Sequence, residues 1–130
     1  MNTQNMNLIF VFDMDNTLIK TDKANNLAYS EAISSVMGVK YTIDSNDRFT
    51  RNQLKSIFPI LTESQIGEIV ARKERCFETY LKETELNKNL FRIVKRLHNE
   101  GRQTILLTNC HSCRAISLCN YYNITKYFVQ

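Results

Sequence analysis

The sequence lacks long apolar runs and has few of the residues that make tight turns. Its longest purely apolar run is Leu8–Phe12, far short of the roughly 20 residues that a transmembrane helix needs. With three Gly and one Pro, the chain favours helices. Residues 1–7 are predicted to form a flexible tail, and they lack the basic region and apolar core of a signal peptide. We therefore expect a cytoplasmic protein, in which the cysteines are reduced thiols.

Acidic residues are missing from the end of the sequence, where no Asp or Glu follows Glu100. From Asn87 onward there are seven Lys or Arg, against ten basic and twelve acidic residues before it. Four of these cations share one face of a predicted helix: Lys88, Arg92, Lys95 and Arg96. Such a stripe is more often the solvated side of an amphipathic helix than a nucleic-acid surface. We therefore expect neither nucleic-acid nor membrane binding.

Hydrophobic periodicity predicts two strands separated by helices. Leu8–Phe12 and Gln103–Asn109 are typical of strands buried on both faces of a parallel sheet. Thr62 and Gln65 form a capping-box pattern at the start of a long helix. Helical spacing is predicted over five segments, namely 22–37, 54–58, 63–81, 88–99 and 111–121. This order predicts an α/β fold with helical crossovers.

Two carboxylates, Asp13 and Asp15, come directly where the first strand ends. Parallel sheets gather their ligand sites at the carboxyl ends of the strands, so we expect them to meet Thr108 and Asn109. A carboxylate held there can attack phosphorus and form an aspartyl-phosphate. A second can protonate the leaving oxygen and later deprotonate water. Phosphoryl transfer also needs neutralisation of the phosphate charge, commonly by Mg²⁺.

Other interpretations of these residues are weaker. An EF-hand loop starting at Asp13 would need Gly and Glu where the chain has Leu18 and Ala24. The two Asp residues could also simply start a turn or cap a helix. Cys110 and Cys113 form one CxxC pair, whereas a zinc site usually has two, and we expect neither a metal nor a redox function for it.

Three segments resemble motifs of the haloacid dehalogenase superfamily. "VFDMDNTL" is similar to its first motif, "ILLTN" to its second, and "NYYNITKYF" to the segment that follows the second. The resemblance covers residues 8–128. It implies a Rossmann-like parallel sheet of two to three strands with an α-helical cap. We expect a core of residues 8–21 and 87–130 and a cap of residues 22–86.

The resemblance also implies roles for individual residues. Asp13 corresponds to the nucleophile and Asp15 to the general acid/base, and both are assigned to Mg²⁺. Thr108 corresponds to the phosphate-binding residue, with Asn109 and Thr17 beside it, Thr17 also supporting the geometry of the site. The implied activity is Mg²⁺-dependent hydrolysis of a small phosphorylated metabolite, with the cap selecting the substrate.

The sequence departs from the family pattern after the second motif. The family has a Lys and an acidic pair after its second motif. Lys126 comes too soon after Thr108 to match that Lys, and no acid follows Glu100 to match the acidic pair. We therefore expect the front part of a larger fold, weak or absent turnover, and self-association through an exposed sheet edge. The alternative is a non-catalytic relative or fragment that binds a partner or a phosphorylated ligand.

Overall fold

The structure, a computed structural model, describes residues 8–108 and 112–129. The chain forms two compact units, one from the residues up to Lys20 and from Glu85 onward, the other from Thr21–Thr84. In chain order the elements are β1 (Ile9–Asp13), β2 (Ile19–Lys20), α1 (Asp22–Met37), α2 (Arg51–Ile57), α3 (Glu63–Cys76), β3 (Glu85–Leu86), α4 (Lys88–Asn99), β4 (Gln103–Leu107) and α5 (Ser112–Tyr121). Short 3₁₀ segments cover Phe77–Glu83 and Thr125–Tyr127.

The first unit is built on a parallel strand pair, which confirms the predicted α/β class. β1 pairs with β4 in a register that places Ile9 opposite Gln103 and Asp13 opposite Leu107. The helix α4 lies before β4 in the chain and packs against it. A second, antiparallel pair joins β2 to β3. These two-residue strands carry no periodicity, so the sequence did not predict them.

The expectation that β1 and β4 are buried on both faces is wrong. Leu107, the last residue of β4, is 58% exposed. Ile9 and Val11 are 52% and 54% exposed. Their neighbours Phe10 and Phe12, whose side chains point to the opposite face, are partly buried. In the described part of the chain the sheet has two paired strands. So narrow a sheet offers little area for helices to pack on, and one of its faces stays exposed.

The second unit buries its apolar residues between α1, α3 and the segments that join them. Its core contains Tyr29, Ala32, Ile33, Phe49, Leu54, Leu61, Ile66 and Ile69. Phe49 comes from the polar connection 39–50, in which the sequence showed no regular pattern. That connection is held by hydrogen bonds from α1: Asn25 Nδ2 donates to Phe49 O at 2.9 Å, and Ile43 N donates to Ser30 Oγ at 3.0 Å.

Local hydrogen bonds define the start and end of α3. The predicted capping box is confirmed, because Gln65 N donates to Thr62 Oγ1 at 3.1 Å and Thr62 N donates to Gln65 Oε1 at 2.9 Å. The helix ends at Cys76, whereas the pattern predicted one helix as far as Leu81. Apolar periodicity over one or two turns does not distinguish α-helical from 3₁₀ spacing, which explains the difference.

Within residues 8–108 and 112–129, none of the helices is both long and apolar enough to cross a membrane.

Candidate functional site

The turn after β1 positions the two carboxylates. The ladder continues one residue beyond the strand, since Met14 N donates to Leu107 O at 2.9 Å. The chain then reverses, and Leu18 N and Ile19 N donate to Met14 O at 3.1 and 3.0 Å. Asn16 adopts a left-handed backbone with φ of 59°, which Asn tolerates better than most residues. Asp13 and Asp15 therefore belong to a hydrogen-bonded turn.

Thr108 reaches this turn from the neighbouring strand. It directly follows β4, whose last residue Leu107 pairs with Asp13. Its Oγ1 donates to Asp15 Oδ2 at 2.9 Å, which joins side chains 93 positions apart in sequence. Asn109, the other predicted residue after this strand, lies outside the described residues. Parallel pairing thus brings the ends of both conspicuous sequence motifs to one sheet edge.

Thr17 lies on the other side of the turn, next to Asp13. Its Oγ1 donates to Asp13 Oδ2 at 3.3 Å, and both residues are exposed. Asn87 supports this part of the turn from the start of α4: Asn87 Nδ2 donates to Thr17 O at 3.3 Å and Asn87 N to Leu18 O at 2.7 Å. Its Oδ1 accepts from Leu90 N at 3.1 Å, so the residue also caps the helix. An Asn before an amphipathic helix is the sequence feature that could have identified it.

A buried arginine also lies beside Asp15, and it is not among the site residues predicted from the sequence. Arg114 lies in the first turn of α5, and its Nη2 is 3.9 Å from Asp15 Oδ1. Its side chain is 7% exposed, against 22% for that of Asp15. Arg114 is the only charged residue of α5, and this isolated charge in an otherwise uncharged helix is the feature that could have identified it.

The oxygen donors at this edge are of the kind that Mg²⁺ takes. Among the described residues no three His, Cys, Asp or Glu side chains form a metal-binding group. Mg²⁺, however, is commonly bound by one or two carboxylates together with waters and substrate phosphate. Asp13 offers an exposed carboxylate, while the carboxylate oxygens of Asp15 face Thr108 and Arg114. The residues thus fit Mg²⁺ with Asp13 as carboxylate ligand. The assignment of Asp15 to Mg²⁺ stays a prediction.

Three cysteines lie in the described part of the chain, namely Cys76, Cys113 and Cys119. Cys76 and Cys113 form no disulfide, and Cys113 is exposed. Cys110, the other member of the CxxC pair, lies outside the described residues. Burial and the nearby Glu31 carboxylate raise the pKa of the Cys76 thiol to about 11, which disfavours the nucleophilic thiolate.

Comparison with solved structures shows the same fold in several phosphatases. The chain superposes on a predicted phosphoglycolate phosphatase from Haemophilus somnus with a TM-score of 0.74 and 18% identity, over 95% of this chain and 60% of that one. With CbbY from Rhodobacter sphaeroides in complex with phosphate, the TM-score is 0.73 and the identity 16%, over 92% and 60%. With a haloacid dehalogenase-like family hydrolase from Streptococcus pneumoniae, the values are 0.69 and 20%, over 92% and 58%. The chain therefore spans less than two thirds of the length of these proteins.

The sequence itself matches a family description. Among curated protein sequences no significant match was found. The sequence model of the haloacid dehalogenase-like hydrolases, however, matches residues 10–130, which include all of β1 but its first residue, β4 and the turn that carries both carboxylates. The chain belongs to the haloacid dehalogenase-like hydrolase family.

Proposed function

We propose that this protein is a Mg²⁺-dependent phosphohydrolase that acts on a small phosphorylated metabolite through an aspartyl-phosphate. The observation that supports it most is the hydrogen bond of 2.9 Å between Thr108 Oγ1 and Asp15 Oδ2. Both residues come just after Asp13 and Leu107, which pair with each other at the ends of the two strands. The bond joins a candidate acid/base and a candidate phosphate-binding hydroxyl beside an exposed carboxylate. This combination is the one that phosphoryl transfer to an aspartate requires.

In the first half of the proposed reaction, Asp13 is the nucleophile. One carboxylate oxygen of Asp13 forms a bond to phosphorus as the bond between phosphorus and the ester oxygen breaks. Asp15 in its protonated form donates its proton to that leaving oxygen, so the alcohol departs neutral. Thr108 can hold a phosphate oxygen by turning its one hydroxyl proton from Asp15 to that oxygen, because a hydroxyl has a single donor position.

In the second half, Asp15 acts as a base. It takes a proton from a water, whose oxygen bonds to phosphorus as the bond to Asp13 breaks, so inorganic phosphate leaves and both carboxylates return to their initial state. A phosphate ester that approaches the Asp13 carboxylate is repelled by it. Mg²⁺, when bound, supplies the positive charge that offsets this repulsion and stabilises the charge on the transferring phosphoryl group.

The relatives support a phosphorylated small molecule as substrate. CbbY is bound to phosphate in one structure and, as a mutant, to xylulose-(1,5)bisphosphate in another. For this chain we propose only the chemical class of the substrate, a small phosphate ester. The role of the second unit, Thr21–Thr84, as a substrate-selecting cap stays a prediction, as does the cytoplasmic location.

The test is hydrolysis of p-nitrophenyl phosphate by the 130-residue chain, with Mg²⁺ and with EDTA. We expect weak Mg²⁺-dependent turnover that Asp13→Asn reduces to background, because the amide cannot form the phosphoenzyme. Asp15→Asn should lower kcat by about 10²–10⁴-fold, the usual contribution of general acid/base catalysis. The matched control is Asp44→Asn, which removes an exposed carboxylate from the connection 39–50 and should leave turnover unchanged.

The alternative is a non-catalytic member of the family that binds a phosphorylated ligand. It is favoured by the small number of metal ligands, since no three metal-binding side chains cluster among the described residues. Turnover that is equal in the wild type and Asp13→Asn, or unaffected by EDTA, would refute the proposed enzyme. Calorimetric binding of inorganic phosphate without turnover would then identify the alternative.

A further inference from the structure

Asn87 uses both ends of its side-chain amide. Its Oδ1 accepts from Leu90 N at 3.1 Å, and its Nδ2 donates to Thr17 O at 3.3 Å. A backbone N–H can only donate and a carbonyl can only accept, so one orientation of the amide satisfies both contacts. The same side chain therefore begins α4 and bonds to the turn that carries the two carboxylates.

The start of the helix explains only half of these contacts. Ser, Thr and Asp can begin a helix much as Asn does, because each offers an oxygen to the backbone N–H groups of the first turn. An ionised Asp has no donor, and the hydroxyl of Ser or Thr is a single atom that cannot lie at both places. Of these four residues, Asn is the one whose side chain can bond Leu90 N and Thr17 O together.

The turn after β1 is held from two sides. On one side Met14 O accepts from Leu18 N and Ile19 N at 3.1 and 3.0 Å, which ties the turn to the end of the strand. On the other side the successive carbonyls of Thr17 and Leu18 accept from Asn87, through Nδ2 at 3.3 Å and through N at 2.7 Å. The Nδ2 bond is the contact through which the Asn87 side chain holds the backbone of Thr17.

The backbone position of Thr17 decides where its hydroxyl lies. Thr17 Oγ1 donates to Asp13 Oδ2 at 3.3 Å, and both residues are exposed. Water competes for an exposed hydrogen bond, so this bond orients the Asp13 carboxylate only if the hydroxyl is already held beside it. A carboxylate without such a contact turns about its last torsion, which is broad and two-fold.

We infer that Asn87 is a positioning residue, which holds the Thr17 hydroxyl beside the Asp13 carboxylate and so orients the nucleophile toward phosphorus. The inference rests on the function proposed above. Within the described part of the chain, the hydrogen bonds of Asn87 go to the turn and to α4, so it acts on Asp13 through Thr17. A misplacement of a reacting group by about 1 Å can cost about 10²-fold in rate.

The experiment is Asn87→Ser in the 130-residue chain, which keeps an oxygen for Leu90 N and removes the donor to Thr17 O. Its first readout is amide hydrogen exchange followed by NMR in Mg²⁺-free buffer, which does not depend on turnover. We expect Leu18 N to exchange about two- to tenfold faster, as the loss of one hydrogen bond allows. Leu90 N should exchange at the wild-type rate, because the start of α4 is kept. The matched control is Asn89→Ser, which makes the same change at an exposed position of this helix and should alter neither rate.

The second readout is hydrolysis of p-nitrophenyl phosphate with Mg²⁺. Asn87→Ser should lower kcat about tenfold with KM changed less than about twofold, because the side chain orients the nucleophile and does not bind the substrate. Thr17→Val removes the hydroxyl and should lower kcat similarly, whereas Thr17→Ser keeps the hydroxyl and most of kcat. In the Thr17→Val background Asn87→Ser should cause no further loss, since Asn87 acts through that hydroxyl. Asn89→Ser should leave both constants unchanged.

Each outcome decides the inference. Equal exchange of Leu18 N in the wild type and Asn87→Ser would overturn it, as would a kcat loss that persists in full in the Thr17→Val background. An unchanged kcat in Asn87→Ser beside wild-type turnover, with or without a raised KM, would overturn it and leave the proposed function standing.

Absence of turnover in every variant, wild type included, would refute the proposed function and with it the catalytic role of Asn87. The exchange rates would then decide whether this side chain holds the turn. If Asn87→Ser does not fold, Asn87→Thr, which also places a hydroxyl at the start of α4, takes its place with the same expected results.

Discussion

Replacement of Asn26 by Ala should destabilise the second unit through the loss of one polar side chain. Asn26 is 5% exposed, and its Nδ2 donates to Asp47 O at 2.8 Å. Its Oδ1 accepts from Phe49 N at 2.8 Å, and this bond holds the connection 39–50 against α1. Asp47 is exposed, so in the variant a water can donate to the Asp47 carbonyl in place of Asn26. Phe49 is 4% exposed, so its N–H would be left without an acceptor.

The magnitude follows from these two bonds. The lost bond to Asp47 is worth about 0.5–1.5 kcal/mol, and a buried N–H without an acceptor costs about 1–3 kcal/mol. Ala is a better helix former than Asn, and this offsets roughly 0.5 kcal/mol of the lost stability because residue 26 lies in α1. We therefore expect the free energy of unfolding to fall by about 1–4 kcal/mol, measured by urea denaturation followed by circular dichroism at 222 nm.

A paired substitution separates this effect from the general cost of changing the connection. Asn46→Ala alters an exposed residue of the same segment and should change stability by less than about 0.5 kcal/mol. Asn26→Asp keeps the acceptor for Phe49 N and should lie between the control and Asn26→Ala. If Asn26→Ala is no more destabilising than Asn46→Ala, the connection is held in place by something other than this side chain.

Two further predictions concern the same unit. Thr62→Ala removes the acceptor of Gln65 N and should lower the free energy of unfolding by about 1 kcal/mol; Ser64→Ala, one residue into α3, is the control and should have little effect. The pKa of the Cys76 thiol is raised from 9.0 to about 11 by burial and by Glu31, so the folded state favours the neutral thiol. The resulting stability is fully present below pH 9 and should decline as the pH rises from 9 to 11, a loss that Cys76→Ala would remove. Iodoacetamide at pH 8 should modify exposed Cys113 well before Cys76, and equal rates would contradict the burial of this thiol.

Much of the candidate site could be predicted from the sequence because its parts are local. The apolar run before Asp13 and the second before Thr108 identify two strands, and parallel pairing then brings their ends together. The capping box of α3 uses hydrogen bonds between residues three positions apart, so it too can be predicted from the sequence. Each of these features depends on backbone periodicity or on neighbours within one helical turn.

Tertiary structure decided the features that depend on distant neighbours. Asn26 has no pattern that identifies it as buried, and Arg114 has only its isolated charge in α5. Partners of both lie far away in the sequence, namely Phe49 for Asn26 and Asp15 for Arg114, 23 and 99 positions away. The exposure of Ile9 and Val11 likewise depends on the width of the sheet and not on the residues of β1. The sequence by itself determined where the strands end and which carboxylates follow them. Only the fold decided which groups hold those carboxylates, because burial and ion pairing are properties of neighbours in space.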